Sequence, residues 1–529
     1  MRDAGGEGRR VLIFYQRNWG ILFGQYLCER LAATWPGSRF AALVIRNTAL
    51  AHLLAQDRVP FERYWYWDDY LNDPDRFLDG DATTLGEICR EVGVDSIWPL
   101  VQSLRTLVKD YRRKYYYAFT QSVSDAEIVK VVRVTYRLVR QMLDEFDPEV
   151  IILPNAVSLP HLLTIALAKK RGIFVRWPTD SKVSGRNIWV EDGDLAGGLL
   201  HRRMAAVTDA DLSGLAHLAE ARAYLEKFRR EFIKPEDFLR TVVPGRSWWG
   251  LVDPRYYLKM GELALRRRFY RKHRAKRGQV VTIDNAPPWV RIRDRWASYR
   301  YQRHAMTRVY DPVPERFLFF PLQVQPEQST DVVAPFFNNQ LEAARLTAMA
   351  LPDDLTLVVK DHPAMADKRT PGYLFKLQHQ ANVKLVDYRT PAEELLRRSV
   401  GVVSLSGTAL MEAVFLNKPA IQLGNMALSL LFPQVRRCTD FTLLGGVIRE
   451  HILGFEPQRP ENELRTLAYI ALVWEEGFAL NYGSMWEHGE AGDRGPMWEA
   501  LLRELNAWFG PGEGVPVGHP GVAGGGRAF

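Results

Sequence analysis

Residues 401–424 have the sequence GVVSLSGTALMEAVFLNKPAIQLG. The apolar run Gly401–Leu405 predicts a buried strand, Ala409–Asn417 predicts a helix, and Pro419–Leu423 predicts the next strand. This order is typical of a parallel sheet, because two parallel strands need a crossover connection that is usually helical. The stretch therefore predicts an α/β domain built on a parallel sheet.

The same alternation continues on both sides of this stretch. Further strands are predicted at Phe317–Pro321, Leu355–Lys360 and Asn382–Val386, and helices at Asn339–Ala350, Ala392–Arg398, Glu463–Phe478 and Met497–Phe509. We assign residues 315–510 to one C-terminal domain that includes the last two helices. The remaining residues, 511–529, are rich in Gly and Pro, which predicts a disordered tail.

A second α/β pattern occupies the N-terminal part of the chain. Its predicted strands are Val11–Tyr15, Phe40–Ile45 and Glu149–Leu153, and residues 1–205 form the predicted N-terminal domain. Residues 206–314 have a helical, strongly basic pattern and are predicted to be a linker or insertion. The predicted fold class is α/β, with two Rossmann-like parallel-sheet domains facing a cleft, a helical basic linker and C-terminal helices.

The composition is that of an ordinary globular protein. Of the 529 residues, 47% are hydrophobic and 25% charged, which excludes disordered, fibrous and collagen-like chains. The three cysteines are far apart and support neither a disulfide framework nor a zinc cluster, so we expect a reducing, cytoplasmic location. No run of about 18 apolar residues occurs, so we expect nothing to span a membrane.

The strongest candidate site is the turn between the strand and the helix of residues 401–424. Ser404, Ser406, Gly407 and Thr408 form a small hydroxyl-rich turn that opens a helix, and such a helix end binds anions such as a nucleotide phosphate. Glu412 lies one turn into the helix and is expected to accept hydrogen bonds from ribose or sugar hydroxyls. The alternative is that Ser406 only caps the helix and Glu412 is only an acid favoured by the helix dipole.

Two more candidate sites follow predicted strands of the same domain. Lys360 and His362 end the strand LTLVVK, where a histidine can donate to a phosphate and help neutralise a departing nucleotide. The polar residues Gln323, Gln325 and Glu327 follow the strand FLFFP, and Glu327 is a candidate to orient the donor sugar or act as a base. The alternatives are a capping or core histidine and a polar loop without a ligand.

These three motifs together resemble a known family. PLQVQPE, VVKDHP and SLSGTALMEAVFLNKPAIQLG, in this order and spacing, are similar to bacterial capsular and surface polysaccharide synthesis proteins, a group that includes transferases of Kdo, an acidic sugar activated by CMP. The resemblance covers about residues 317–425 and extends weakly to GIFVRWPTDSKVSGRNIWVEDGD in the first domain. Gln323 stands where that family commonly has His, and Asn417 where it usually has Gly.

The resemblance implies a GT-B glycosyltransferase fold, the nucleotide-sugar donor on the second domain and the acceptor on the first. His362 with Ser406 and Thr408 would then face the donor phosphate. For the general base we consider Asp192, with Glu191, because bacterial sialyltransferases place their base in a similar acid-acid-Gly string. A surface turn explains that string equally well. We expect no metal and no cofactor.

Further residues of the first domain are candidates for the acceptor side. They follow the first strand or lie near the acid-acid-Gly string, and each is at least as consistent with a structural role: Arg17, Asn18, Gly20 and Arg186.

The segment Arg266–Arg277 has eight Lys or Arg among twelve residues and no acid. It is explained by a solvated helix surface, by nucleic-acid binding or by an anionic membrane leaflet, and charge alone does not decide. No nucleic-acid recognition motif accompanies it, so we expect no nucleic acid. For an enzyme that extends a lipid-linked polysaccharide, the membrane interpretation fits best, with the protein peripheral on the inner face of the plasma membrane.

Other functions remain open from the sequence alone. A polyol-phosphate transferase and a sugar-nucleotide epimerase have the same fold form, and a non-catalytic scaffold of capsule assembly represents a different class. The intact QPE, HP and GT…E motifs argue against the scaffold.

Overall fold

The computed structural model describes residues 8–45, 47–104, 124–207, 212–233, 251–273, 288–289, 291–293, 295–296, 299–300, 310–352, 354–365, 369, 371–480 and 492–510. These residues divide into two compact units. The first unit comprises the described residues within Met1–Val101, Asp125–Ala221 and Ala468–Phe529. The second comprises those within Gln102–Ser124 and Arg222–Leu467.

The first unit is built on a sheet whose strand order is β3-β2-β1-β4-β5-β6-β13 among the described residues. The strands are β1 Arg10–Gln16, β2 Arg39–Ile45, β3 Phe61–Tyr66, β4 Val150–Ile152, β5 Phe174–Asp180, β6 Arg186–Val190 and β13 Phe478–Ala479. Strands β1 to β5 are parallel, while β6 and β13 each run antiparallel to their neighbours. Residues Val11–Tyr15 of β1 are fully buried, as their apolar run predicts.

Helices cover this sheet. They are α1 Arg17–Trp19, α2 Gln25–Thr34, α3 Asn47–Ala55, α4 Trp67–Asn72, α5 Pro74–Phe77, α6 Leu85–Val92, α7 Trp98–Val101, α8 Asp125–Phe146, α9 Leu159–Lys170 and α10 Gly198–Ala206. A π-helical segment, Gly20–Gly24, joins α1 to α2. Helix α11, Leu218–Glu231, contains the boundary between the two units.

The second unit contains six strands among its described residues, in the order β9-β8-β7-β10-β11-β12. They are β7 Phe317–Pro321, β8 Thr356–Lys360, β9 Val383–Val386, β10 Gly401–Ser404, β11 Ala420–Gln422 and β12 Val435–Arg437. Every pairing between them is parallel. Numbered from β7, this is the order 3-2-1-4-5-6 of a doubly wound Rossmann sheet.

The helices of the second unit alternate with its strands. They are α12 Pro254–His273, α13 Gln328–Asp331, α14 Gln340–Met349, α15 Pro371–Gln378, α16 Ala392–Arg398, α17 Thr408–Phe415 and α18 Phe441–Val447. A π-helical segment, Ile448–Leu453, follows α18, and α19, Pro460–Glu476, contains the second boundary between the units. The predicted α/β fold class, with two mainly parallel sheets, is therefore confirmed.

The C-terminal helix α20, Gly495–Phe509, belongs to the first unit, whereas the sequence placed it with the second domain. Its apolar face packs into the core around β1 through residues such as Trp498 and Leu501. Its Glu504 is 4% exposed and lies 2.9 Å from Arg176 Nε of β5, which is itself 1% exposed. Glu504 Oε1 also accepts the Leu199 N–H at 2.6 Å, at the beginning of α10.

The basic segment begins within α12, and the side chains of residues 266–277 lie outside the described part of the structure. Among the described residues, no helix is long and apolar enough to cross a membrane.

Candidate functional site

The strand order of the second unit identifies where a ligand is expected to bind. In a doubly wound sheet, ligands bind outside the carboxyl ends of the strands, at the point where the strand order reverses. Here that point lies between the neighbouring strands β7 and β10, and β8 borders β7 on its other side. The three sequence motifs begin at the carboxyl ends of these three strands, so one edge of the sheet carries all of them.

The turn after β10 is built around a glycine. Gly407 has φ +92°, in the left-handed region, and a Cβ atom there would lie 2.7 Å from Gln323 Oε1. A side chain at this position is therefore opposed both by the backbone conformation and by its neighbour. Gly407 precedes α17, whose first N–H groups have no partner within the helix. This turn geometry is compatible with the predicted anion site, which stays a prediction.

Gln323 holds this turn in place. Its Nε2 donates to Ser404 Oγ at 2.8 Å and also to the Ser406 carbonyl. Its backbone N–H donates to Gln340 Oε1 at 2.6 Å. Gln325 is 3% exposed and accepts a hydrogen bond from Gln340 Nε2 at 3.3 Å. Both glutamines predicted to bind the donor, Gln323 and Gln325, therefore form hydrogen bonds within the protein.

Ser406 does not cap the helix, which was the alternative interpretation of this residue. Its side chain is fully buried, and its hydroxyl donates to the Ser329 carbonyl at 2.8 Å, while α17 has no side-chain cap. This bond ties the turn after β10 to the loop after β7. Thr408 is half-buried at the first position of α17, and no described group hydrogen-bonds to its hydroxyl. Glu412 is half-buried one turn further along the helix.

Glu327 lies at the start of the short helix α13 and is exposed. One carboxylate oxygen accepts the Ser329 hydroxyl at 2.8 Å, and the Glu327 N–H donates to Thr330 Oγ1 at 3.3 Å. These contacts orient the carboxylate at the sheet edge that carries the other motifs.

His362 has a fixed ring orientation in the loop after β8. The Ala364 N–H donates to His362 Nδ1 at 3.1 Å, so the neutral ring carries its proton on Nε2. The His362 N–H donates to Asp361 Oδ1 at 2.7 Å. Lys360 is 6% exposed and its Nζ lies 3.5 Å from the Asp361 carbonyl, within the loop. His362 is thus presented as a hydrogen-bond donor through Nε2.

A buried ion pair supports this loop. Arg369 and Asp361 have side chains that are 0% and 1% exposed, and Arg369 Nη1 donates to Asp361 Oδ1. Arg369 Nη2 also donates to the Gln323 carbonyl at 2.6 Å, which joins the loops after β8 and β7. Burial raises the pKa of Asp361, and the Arg369 guanidinium opposes that shift. Arg369 could not be predicted from the sequence, because an isolated Arg in a loop has no distinguishing pattern.

In the first unit, the equivalent reversal of strand order lies between β1 and β4. The side chain of Arg17 lies outside the described part of the structure, and Asn18 is half-buried in α1. Gly20 is buried, and a Cβ there would lie 2.9 Å from Tyr15 Cα. We therefore assign Gly20 to the close packing of the π-helical segment against β1.

A buried histidine connects β1 with the start of α9. His161 Nε2 lies 3.0 Å from Gln16 Oε1, and His161 Nδ1 lies 2.6 Å from Ser158 Oγ. Burial lowers the pKa of His161 from 6.5 to about 3. The ring is therefore neutral over the physiological pH range.

This histidine should make the first unit sensitive to acid. Below pH 6.5 the unfolded chain binds a proton at His161, whereas the folded chain does not bind it until about pH 3. The free energy of unfolding should therefore fall as the pH falls through this range, with a slope that approaches about 1.4 kcal/mol per pH unit. His161→Gln should remove this contribution. Urea unfolding of both proteins across the range measures it, and equal slopes would contradict the assignment.

The acid-acid-Gly string forms ion pairs within the first unit. Asp192 Oδ2 accepts a hydrogen bond from Lys169 Nζ at 2.6 Å, and Glu191 Oε2 lies 2.9 Å from Arg176 Nη1. Arg186 is half-buried, with its guanidinium 4.3 Å from the centroid of the Trp474 ring, and burial lowers its pKa. Both Asp192 and Arg186 thus have protein partners already.

Comparison with known proteins gives one family match. The family model described as "Capsule polysaccharide biosynthesis protein" matches residues 249–430, about a third of the chain. We refer to residues 249–430 as the capsule-synthesis segment, because they resemble that family. The resemblance predicted from the three motifs is confirmed. A comparison with curated proteins finds no match.

Solved structures match most of the chain at low identity and low TM-score. A beta Kdo 2,7 transferase, KpsC of Thermosulfurimonas dismutans, is 12% identical, with a TM-score of 0.34 and coverage of 77% of this chain and 96% of that one. UDP-GlcNAc 2-epimerase from Methanocaldococcus jannaschii is 11% identical, with a TM-score of 0.24 and coverage of 88% and 99%. The N-terminal domain of Candida albicans trehalose-6-phosphate phosphatase is 10% identical, with a TM-score of 0.29 and coverage of 90% and 95%.

The capsule-synthesis segment contains all three motif loops of the second unit. It includes β7, β8 and β10 with the residues that follow them, and it ends beyond β11. The acid-acid-Gly string lies outside the segment, in the first unit. The family match therefore covers the three motif loops and none of the candidate residues of the first unit.

Proposed function

We propose that this chain is a glycosyltransferase of capsule or surface polysaccharide synthesis. It transfers a Kdo-like sugar from a CMP-linked donor to a growing polysaccharide or a lipid-linked acceptor. The proposal is carried by one observation, the convergence of three motif loops at the carboxyl ends of β10, β7 and β8. The choice of a CMP-linked, Kdo-like sugar rests on the motif resemblance.

The donor phosphate is proposed to bind at the beginning of α17. The first N–H groups of a helix and the positive end of its dipole favour an anion there. The hydroxyl of Thr408 adds a donor from the first residue of the helix, and His362 Nε2 adds one from the loop after β8. Glu412 is proposed to accept hydrogen bonds from ribose or sugar hydroxyls. Lys360 supplies fixed positive charge to the same loop.

The chemistry is a displacement at the anomeric carbon. The bond between that carbon and the phosphate oxygen breaks, and its electron pair leaves with the nucleotide. The acceptor oxygen forms the new glycosidic bond and gives its proton to a carboxylate base. Asp192, held by Lys169, is the proposed base on the acceptor side. Glu327 is the second candidate, because its exposed carboxylate lies on the donor unit.

Substitutions at Thr408 and Ser406 should separate nucleotide binding from stability. Thr408→Val removes a hydroxyl directed to a charged phosphate and should weaken nucleotide binding about tenfold, with little change in melting temperature. Ser406→Ala removes a buried bond to the Ser329 carbonyl and should cost about 1 kcal/mol of folding free energy, with nucleotide affinity nearly unchanged. Titration calorimetry and thermal melting measure the two effects. The proposed site would be contradicted if Thr408→Val mainly lowered the melting temperature and Ser406→Ala mainly weakened nucleotide binding.

The basic segment Arg266–Arg277 is proposed to attract the protein to an anionic membrane from the cytoplasmic side. Each basic residue near such a surface contributes about 1 kcal/mol, and salt screens the attraction. Binding to anionic vesicles should therefore fall steeply with added salt. Replacing Arg266, Arg267, Arg268 and Lys272 with Gln should abolish it. Equal binding to neutral and anionic vesicles would contradict the proposal.

A donor panel tests the proposed reaction. The purified chain is incubated with CMP-, UDP- and CDP-activated sugars or polyols, with and without a surface-polysaccharide acceptor, and the released nucleotide is measured. We expect acceptor-dependent release of CMP that continues in EDTA, since groups of the chain itself are proposed to stabilise the phosphate. Release only from CDP-polyols would indicate polyol-phosphate transfer. Isomerisation of a UDP-sugar without acceptor would indicate an epimerase.

A further inference from the structure

A polar cavity of about 550 Å³ lies in the first unit. It is bounded by α6, α8 and the loop that contains Asp81, and its volume falls within the range of about 300–1,000 Å³ typical of small-molecule sites. None of the motif residues discussed above lines it. The charged and aromatic residues of its lining are Asp81, Glu87, Glu91, Tyr136, Arg137 and Arg140.

The three carboxylates of the lining are held in fixed orientations by the protein. Asp81 Oδ1 accepts the Thr83 N–H at 2.8 Å, and Glu87 Oε2 accepts the Thr84 N–H at 2.8 Å. The hydrogen bonds from Thr84 lower the pKa of Glu87. Glu91 accepts the hydroxyl of Tyr136. These acids therefore form an ordered set of hydrogen-bond acceptors along one side of the cavity.

Helix α8 contributes the cationic side. Arg133, Arg137 and Arg140 follow each other at spacings of four and three residues, which places them on one face of the helix. Arg133 donates to the Asp81 carbonyl, and Arg140 Nε lies 3.7 Å from Glu91 Oε1. Arg137 is exposed, and within the described residues its guanidinium forms neither a hydrogen bond nor an ion pair. The cavity thus offers one guanidinium that forms no hydrogen bond or ion pair within the described residues, and its charge helps to lower the pKa of Asp81.

This mixture of groups suits a particular ligand chemistry. A sugar hydroxyl both donates and accepts, so it can bridge a carboxylate and a guanidinium side by side. The exposed guanidinium of Arg137 matches a carboxylate, which it can bind with two parallel hydrogen bonds. A ligand without hydroxyls fits poorly, because it would offer the three carboxylates of the lining no hydrogen-bond donor.

The end of helix α9 contacts both the wall of the cavity and the acid-acid-Gly string. Neighbouring lysines at the end of α9 make the two connections: Lys169 Nζ donates to Asp192, and Lys170 Nζ donates to the Arg90 carbonyl of α6 at 3.0 Å. The end of one helix therefore supports both the proposed acceptor-side base and one wall of the cavity.

We propose that this cavity binds a carboxylated saccharide, with Arg137 as the residue that recognises the carboxylate. The choice of a saccharide rests on the proposed glycosyl transfer, in which a growing polysaccharide or lipid-linked acceptor is a ligand of the first unit. A free acidic sugar has the same carboxylate and hydroxyl groups as a carboxylated polysaccharide chain. The length of the ligand that binds more tightly distinguishes these two sources.

Calorimetric titration of the full chain with three probes tests the proposal: tetragalacturonic acid, galacturonic acid and maltotetraose. We expect tetragalacturonic acid to bind and maltotetraose to bind at least tenfold more weakly. Arg137→Gln should weaken tetragalacturonic acid about tenfold or more, as expected for a lost charge-assisted hydrogen bond. Arg90→Gln is the matched control, because Arg90 lies exposed on α6 outside the cavity lining, and it should leave binding unchanged.

The probes also separate the two sources. Tighter binding of the tetramer than of galacturonic acid supports a chain acceptor, and equal binding supports a free acidic sugar. No binding up to about 10 mM, equal binding of the neutral and acidic tetramers, or equal losses in Arg137→Gln and Arg90→Gln would each overturn the proposal. These titrations need no nucleotide donor, so their failure is distinguishable from a failure of the donor panel.

Discussion

Replacing His362 with alanine should lower kcat about 100-fold, the scale of losing one preorganised donor at a transition state. The Ala364 N–H donates to Nδ1, so the neutral ring carries its proton on Nε2, the atom proposed to donate to the phosphate. Negative charge accumulates on the donor phosphate only as the glycosidic bond breaks. A donor placed there therefore stabilises the transition state more than the bound substrate, and the KM for the donor should change little.

Two variants control this prediction. His379→Ala removes an exposed histidine of the same unit, whose Nδ1 lies 2.7 Å from the Phe375 carbonyl, and should leave kcat unchanged. His362→Gln supplies an amide donor near the position of Nε2 and should recover part of the lost rate. Steady-state kinetics with the donor that is active in the panel measure kcat and KM for all three variants. A normal kcat in folded His362→Ala, or unfolding without a separable kinetic defect, would end the proposed role.

Arg369→Leu should destabilise the second unit by about 3–5 kcal/mol, the usual cost of leaving one partner of a buried ion pair unpaired. The Asp361 carboxylate would remain buried without its guanidinium. The Gln323 carbonyl would lose its bond to Arg369 and keep only the 3.2 Å bond from Gln340 Nε2. In a unit of this size the melting temperature should fall by about 10 °C.

A double variant tests whether the loss comes from the unpaired charge. Asp361→Asn in the Arg369→Leu background removes the buried charge and retains an acceptor for the His362 N–H. The double variant should therefore be more stable than Arg369→Leu alone, because a neutral pair can replace a buried ion pair at little cost. Urea unfolding followed by tryptophan fluorescence measures the free energy of unfolding of the single and the double variant. A double variant less stable than the single one would show that geometry, rather than charge, dominates.

The sheet of the second unit could be predicted from sequence because its strands are short, apolar and separated by helical patterns. Helix Ala392–Arg398 and strand Phe317–Pro321 have the predicted bounds. The three motifs could also be predicted to lie at one edge, since the carboxyl ends of parallel strands share an edge. Periodicity and turn residues carry this information locally.

Contacts between distant residues could not be predicted in this way. Gln323 and Ser406 are predicted from the sequence to contact the ligand, whereas in the structure they form hydrogen bonds with residues about 80 positions away. Helix α20 was placed with the preceding domain, whereas Glu504 pairs with Arg176, 328 positions earlier in the chain. A local pattern shows that such residues are polar or apolar and does not show which partner they find.

The most direct test of the donor site is a structure of the chain bound to whichever of CMP, UDP and CDP it binds most tightly. We expect the phosphate at the beginning of α17, within hydrogen-bond distance of the Thr408 N–H and of His362 Nε2. A nucleotide bound elsewhere, with the carboxyl edge of β7, β8 and β10 empty, would contradict the account.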